Sequence, residues 1–260
     1  VFDAYYQDPR FTPSVIQKEL LNAGFLGRKS GRGFYIYGEG AKPLVPQQHP
    51  DCSYPGKPVL NKSSVIGSII AARLDAAGKE FGLNESGIAD APLLTVNGAS
   101  LYLTDGRSAT ARAAEHGKPD TVLIDLALDF EKTTRVAIAA AEQCSAEARD
   151  VIAGVLQAAG YRVTLLRDVS GMAVMRTVAM LANEAADAVN QGVCSAADAD
   201  LAMQKGVNYP IGPLAWAERI GVDKLLRVLQ NLNEEYGEDR YRASPLLRRV
   251  VASGKLSFSP

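Results

Sequence analysis

The spacing of apolar residues changes period several times along the chain, and each change marks an element. Val65, Ile66, Ile69, Ile70 and Leu74 recur at helical spacing from about residue 63. After them the period alternates. Segments 93–96, 101–104, 122–126, 136–141 and 162–166 read as strands, and 108–115 and 146–159 as helices between them, the second capped by Ser145 and closed by Gly160. Beyond Val169 the pattern is wholly helical. In the run 172–191, Met175, Val178, Ala179, Ala182, Ala185, Ala186 and Val189 share one face, while Arg176, Asn183, Asp187 and Asn190 fall on the other. Gly192 ends it. Ser195-Ala196-Ala197-Asp198 reads as a capping box with Asp in the acidic place, and Tyr209-Pro210-Ile211-Gly212-Pro213 as a rigid turn into further helices.

The two ends repeat one another. Tyr6, Asp8, Arg10, Phe11, Ser14, Ile16, Gly24 and Leu26 align without gaps on Tyr236, Glu238, Arg240, Tyr241, Ser244, Leu246, Gly254 and Leu256, always 230 positions apart. This reads as a duplicated helical unit whose first copy is represented by its tail. Val1–Tyr6 reads as the middle of an amphipathic helix with no capping residue, which predicts sequence upstream. Phe34-Tyr35-Ile36-Tyr37 reads as a short strand after a glycine-punctuated turn, and Pro43, Pro46, Pro50, Pro55 and Pro58 mark residues 41–60 as an extended connection.

Composition narrows the functional classes. The 260 residues are 47% hydrophobic and 22% charged, ordinary for a globular protein with a real core. The net charge of −1 gives no electrostatic case for nucleic acid or an anionic membrane. Cys52, Cys144 and Cys194 lie far apart with no CxxC spacing, which argues against a metal site and for a reducing, cytoplasmic setting. No apolar run approaches the roughly 20 residues that span a bilayer.

With these elements in place, the stretch DVSGMAVMRTVAMLANEAADAVNQGVCSAADADLAMQKGVNYPIGPLAWAERIGVDK from Asp168 resembles the C-terminal helical domain of the 3-hydroxyacyl-CoA dehydrogenase family. The resemblance rests on the glycine before the long helix, the internal Asn-Glu-Ala, the Gly-Val close, the Ala-Asp-Ala-Asp start and the Tyr-Pro-Ile-Gly-Pro turn. LGRKSGRGFYIY is similar to the segment that ends the first such domain in longer bacterial members of phenylacetate degradation, so the resemblance covers about residues 1–38 and 168–258. It implies a mainly α fold: a helical domain like that of 6-phosphogluconate dehydrogenase, plus a small degenerate Rossmann-like α/β segment. The expected division is 1–40, tail of the first helical domain; 41–90, linker and connecting helix; 91–168, α/β segment; and 169–260, second helical domain.

The same resemblance implies an NAD-dependent oxidation of 3-hydroxyacyl-CoA to 3-oxoacyl-CoA in a longer protein, with an acyl-CoA as substrate partner. No G-x-G-x-x-G is present, because Gly31-Arg32-Gly33 precedes a strand and has Ile36 at the third position. The family's His–Glu base pair would lie outside this chain; His49 and His116 read as solvated and non-catalytic. The family's substrate-binding Asn before Arg corresponds to Met175 before Arg176, and a thioether cannot donate a hydrogen bond. Arg176 is expected in a helix-face ion pair, and Asn183 and Glu184 in loop capping or solvation. No catalytic, metal or NAD-binding residue is therefore expected, and this part is expected to be inactive alone. Arg28, Lys29, Ser30 and Arg32 form a cationic glycine turn suited to a coenzyme A phosphate, or merely to solvent. A homodimer is expected, favoured by an apolar patch at Val15, Ile16, Leu20 and Leu21. The alternative is a stand-alone, non-catalytic dimerisation or CoA-binding module.

Overall fold

The computed structural model describes residues 2–258 except Glu39 and Ala89, and divides into a unit of 1–46 with 238–240 and a unit of 47–237 with 241–260. In the first unit, helix α1 (Val15–Asn22) starts at a capping box between Ser14 and Gln17. None of the unit's described residues is buried. Val15, Ile16 and Leu21 are 79, 59 and 64% exposed, so the apolar patch is on the surface, with Leu20 partly covered. Two expectations fail here. Asp3–Tyr5 is a 3-10 turn closed by a left-handed Tyr6, not the middle of an α-helix, and the 34–37 run makes only the isolated bridge Arg32↔Ile36. Without a neighbouring strand, alternation of apolar residues has nothing to pair with.

The second unit overturns the expectation of a mainly α fold. It holds a seven-stranded mixed sheet in the order β2-β1-β3-β4-β5-β6-β7. The strands are β1 (Val59–Asn61), β2 (Gly82–Asn84), β3 (Leu94–Val96), β4 (Ala99–Leu103), β5 (Thr121–Ile124), β6 (Arg135–Ala140) and β7 (Arg162–Leu165). Three parallel pairs, β1/β2, β4/β5 and β6/β7, are each joined through a helix: α2 (Val65–Ala76), α3 (Ala109–His116) and α4 (Ala146–Ala158). Antiparallel contacts link these units, and the β3/β4 hairpin turns through Asn97-Gly98, both at positive φ. Helices α2 and α4 cover one face, with Ile70, Leu74, Ile152 and Leu156 against Leu101, Val122 and Ile138; α3 covers the other through Ala109 and Ala113 against Tyr102 and Leu123. The α/β region is thus a doubly wound sheet that begins inside the proline-rich stretch.

The helical region follows as α5 (Val174–Asn190), α6 (Ala196–Val207), α7 (Pro213–Ile220), α8 (Val222–Tyr236) and α9 (Pro245–Ala252). Met175, Ala179 and Ala182 pack with Leu225, Leu229, Leu232 and Leu247. Distant aspartates cap its helices: Asp125 accepts from Ala173, Val174 and Met175 amides at the start of α5, and Asp200 from Leu214 and Ala215 at the start of α7. Asn183 and Asp187 do not lie on a solvated face. Both are buried, Asn183 bridging the 242–244 backbone by donating to Arg242 O at 3.0 Å and accepting from Ser244 N at 2.8 Å. The expected loop capping is there, whereas the polar stripe is covered by the segment leading into α9.

Local structure follows the 230-residue repeat. Pro9–Phe11 and Asp239–Tyr241 are both 3-10 turns, α1 and α9 start at 15 and 245, and Gly24 and Gly254 share φ of 72° and 69°. Only the second copy buries its helix, through Leu247 and Val250.

Candidate functional site

Strands β1, β4 and β5 run in one direction, and their carboxyl ends open into a cleft of about 690 Å³ roofed by α7 and α8. Ligands of open α/β sheets bind at such strand ends. Ile66, Ile69, Leu93, Leu126 and Trp216 give the cleft an apolar part. Arg219, Lys224 and Arg227 bring positive charge from the helical side. Met175, 1% exposed, lies in the lining, so the position that the resemblance gives to a substrate-binding Asn does face the cleft.

Two of the carboxylates around the cleft, Asp90 and Asp105, are engaged by arginines. Asp105 accepts from Arg112 at 2.9 Å and from Arg107, and Asp90 pairs with both guanidiniums. Burial opposes ionisation of Asp90, yet Arg112 and Arg107 hold its carboxyl below the ordinary range. Asp105 and Glu115 overcome burial to raise the Arg107 pKa. Arg112, 2% exposed, also stacks on the Tyr102 ring at 4.1 Å. Asp125 is held by the α5 amides. No histidine among the described residues lines the cleft.

The β1–α2 connection has the place and spacing of a nucleotide turn. Counting back from Gly67, the three glycine positions of G-x-G-x-x-G are Lys62, Ser64 and Gly67. Only the third is kept, and packing requires it: a Cβ at Gly67 would sit 2.3 Å from Asn61 O and 3.1 Å from Leu93 O. At the first position Lys62 pairs with Glu85, the residue after β2, where such folds carry the acid that binds ribose. Ser64 caps α2 by accepting from Gly67 N. In this turn, two of the three glycine positions are thus taken by Lys62 and Ser64, whose side chains engage Glu85 and the first turn of α2. Sequence inspection missed it because it sought three glycines, whereas the surviving signal was one glycine after a strand too short to show alternation.

The other expected residues lie elsewhere. Arg28, Lys29 and Ser30 share a 3-10 turn between the left-handed Gly31 and Gly27 at φ 88°. Arg28 lies over the Tyr37 ring at 5.1 Å and Arg32 over Phe25 at 4.1 Å, while the Ser30 hydroxyl accepts from Leu26 N and donates to Arg32 O, both at 2.8 Å. Lys29 is exposed. His49 is not solvated: its side chain is 9% exposed and its Nε2 lies 3.0 Å from Asp150. His116 is half-buried, near Asp90 and edge-on to Tyr102. Arg176 lies over Tyr236 and Tyr241 and donates to Ser170 O at 2.5 Å, in place of the expected ion pair. Burial and Asp120 push the Cys144 thiol up to about 11, which removes it as a nucleophile near neutrality.

Comparison with known proteins bears on this architecture. Residues 101–169 match the 3-hydroxybutyryl-CoA dehydrogenase reduced Rossmann-fold domain, and 171–258 the 3-hydroxyacyl-CoA dehydrogenase C-terminal domain. The chain is 36% identical over 249 residues to 3-hydroxyadipyl-CoA dehydrogenase of Escherichia coli K12, covering 96% of this chain and 46% of that protein. It is 34% identical over 114 residues to a probable 3-hydroxybutyryl-CoA dehydrogenase of Deinococcus radiodurans, covering 44% and 41%. The chain therefore spans less than half of these relatives. The crystal structure of 3-hydroxybutyryl-CoA dehydrogenase from E. coli K12 superposes with a TM-score of 0.77 at 35% identity, over 97% of this chain and 47% of that one. FadB2 of Mycobacterium tuberculosis, at 17% identity and a TM-score of 0.61 over 80% of this chain and 96% of that one, shares the fold.

Proposed function

Because this chain belongs to the 3-hydroxyacyl-CoA dehydrogenase family, we propose that it is the non-catalytic C-terminal half of an enzyme that oxidises 3-hydroxyacyl-CoA to 3-oxoacyl-CoA with NAD. The observation that carries this reading is the β1–α2 turn, in which Lys62 and Ser64 stand where a nucleotide turn has two glycines and Lys62 pairs with Glu85. Met175 in the cleft agrees with it, since the family's position there calls for an amide donor. Residues 1–40 are the end of a first helical domain, and 169–260 a second copy that serves as scaffold and association surface. Lys29, exposed on the cationic turn, is the residue of that turn best placed to meet a coenzyme A phosphate of the whole enzyme.

The test is titration of this chain with NADH followed by nicotinamide fluorescence, alongside an acetoacetyl-CoA reduction assay. The expected result is no saturable binding and no turnover. Saturable micromolar NADH binding, or reduction above background, overturns the proposal. Membrane association forms no part of it, and no helix among the described residues is long and apolar enough to cross a bilayer.

A further inference from the structure

The proline-rich stretch before β1 is not a loose tether where it passes α4. His49 N donates to Val163 O at 2.8 Å, Cys52 N to Gln157 Oε1 at 2.8 Å, and Gln157 Nε2 to Pro50 O at 2.9 Å. The approach is close enough that a Cβ at Gly154 would lie 2.4 Å from Ser53 O. Backbone hydrogen bonds therefore fix the segment on both sides of two side chains, His49 and Cys52, and hold them toward α4. There they meet Asp150. The ring nitrogen of His49, the Cys52 sulfur and an Asp150 carboxylate oxygen all lie within 4.8 Å of one another.

We propose that His49, Cys52 and Asp150 form a binding site for a divalent cation of the zinc class, clamping the 47–58 segment onto α4. Donors bound tetrahedrally to zinc at the usual bond lengths are about 3.4–3.6 Å apart, so small side-chain rotations bring these three atoms to coordination distance. One nitrogen, one sulfur and one oxygen select zinc or cobalt over magnesium or calcium, which demand oxygen ligands. Charge agrees, because a thiolate and a carboxylate neutralise a divalent ion. Arg149 donates to Asp150 Oδ1 at 2.8 Å and orients the carboxylate, leaving Oδ2 free of that contact. Three protein ligands leave a fourth position for water. The bonds that form are metal–N, metal–S and metal–O; the thiol proton passes to solvent, and the His49–Asp150 hydrogen bond gives way to coordination.

A plain His–Asp pair would fasten the segment without a metal, and cobalt(II) distinguishes the two. The metal-free chain is titrated with Co²⁺ alone, then with Zn²⁺, and followed by absorption. The site predicts one equivalent bound, with a near-ultraviolet sulfur-to-cobalt charge-transfer band that Zn²⁺ abolishes and excess Mg²⁺ does not. It also predicts that Cys52→Ser removes the band and His49→Gln weakens binding at least about 10-fold, while Cys194→Ser changes neither. Absence of a charge-transfer band in the unmodified chain overturns the proposal, whatever the variants do. So does a band that survives Cys52→Ser.

Discussion

The Met175 amide donates to the Asp125 carboxylate across 3.0 Å, so a residue just after β5 holds the first turn of α5 at the edge of the cleft. Ala173 and Val174 amides reach the same carboxylate at 3.0 and 2.8 Å, and Asp125 is 2% exposed. Removing it would orphan three donors at once. We expect Asp125→Ala to cost about 3 kcal/mol, with Asp125→Asn recovering part of it, as measured by urea unfolding.

Arg112 is the buried hub for Asp90 and Asp105. Arg112→Met removes the buried guanidinium and leaves Asp90 and Asp105 to Arg107 alone, at an expected cost of about 2–3 kcal/mol. The same network sets a pH response. The folded-state pKa of Asp90 is depressed, so its contribution is complete above the unfolded value near about 4 and fades as pH falls through the lower folded value. Melting temperature against pH for the unmodified chain and Asp90→Asn should therefore converge on acidification and stay apart near neutrality.

Gly67 keeps its place through packing, although the other two glycine positions of its turn hold Lys62 and Ser64. Gly67→Ala must push α2 off Asn61 O and Leu93 O, and about 1–3 kcal/mol of destabilisation is expected in thermal melts. A cost below a few tenths would show that α2 shifts freely and that this glycine was not held by contact.

The Cys144 thiol, at about 11, is about one part in ten thousand thiolate at neutral pH. Iodoacetamide labelling of the native chain at Cys144, mapped by mass spectrometry, should stay slow near neutrality and accelerate with alkali. Rapid labelling at pH 7 would contradict the burial that raises the pKa.

The exposed Val15, Ile16 and Leu21 side chains of α1 are expected to drive association of this chain. Ile16→Lys combined with Leu21→Lys should lower its sedimentation coefficient toward the monomer value. An unchanged coefficient would show that this patch does not drive association.

Apolar periodicity located β3 to β7 and α2 to α5 within a few residues, because those elements bury one regular face or a continuous apolar run. The repeat was equally legible, since capping residues and helix-ending glycines act locally: Ser14 and Ser244 launch helices, and Gly24 and Gly254 end them, whatever surrounds them. Long-range partners decided the rest. Three residues each at β1 and β2 are too few to alternate; β1 becomes a strand beside β3 and β2 beside β1, which turned an expected mainly α fold into a seven-stranded sheet. Asn183 was read as solvated or loop-capping on a polar face and proves buried because the 242–244 backbone covers it; His49 was read as solvated and is enclosed because α4 brings Asp150 to it. Sequence by itself determined where the chain turns, caps and repeats, which are short-range matters of backbone geometry. Tertiary structure decided which polar groups meet, because the burial and charge that give a side chain its chemistry come from segments far away in sequence.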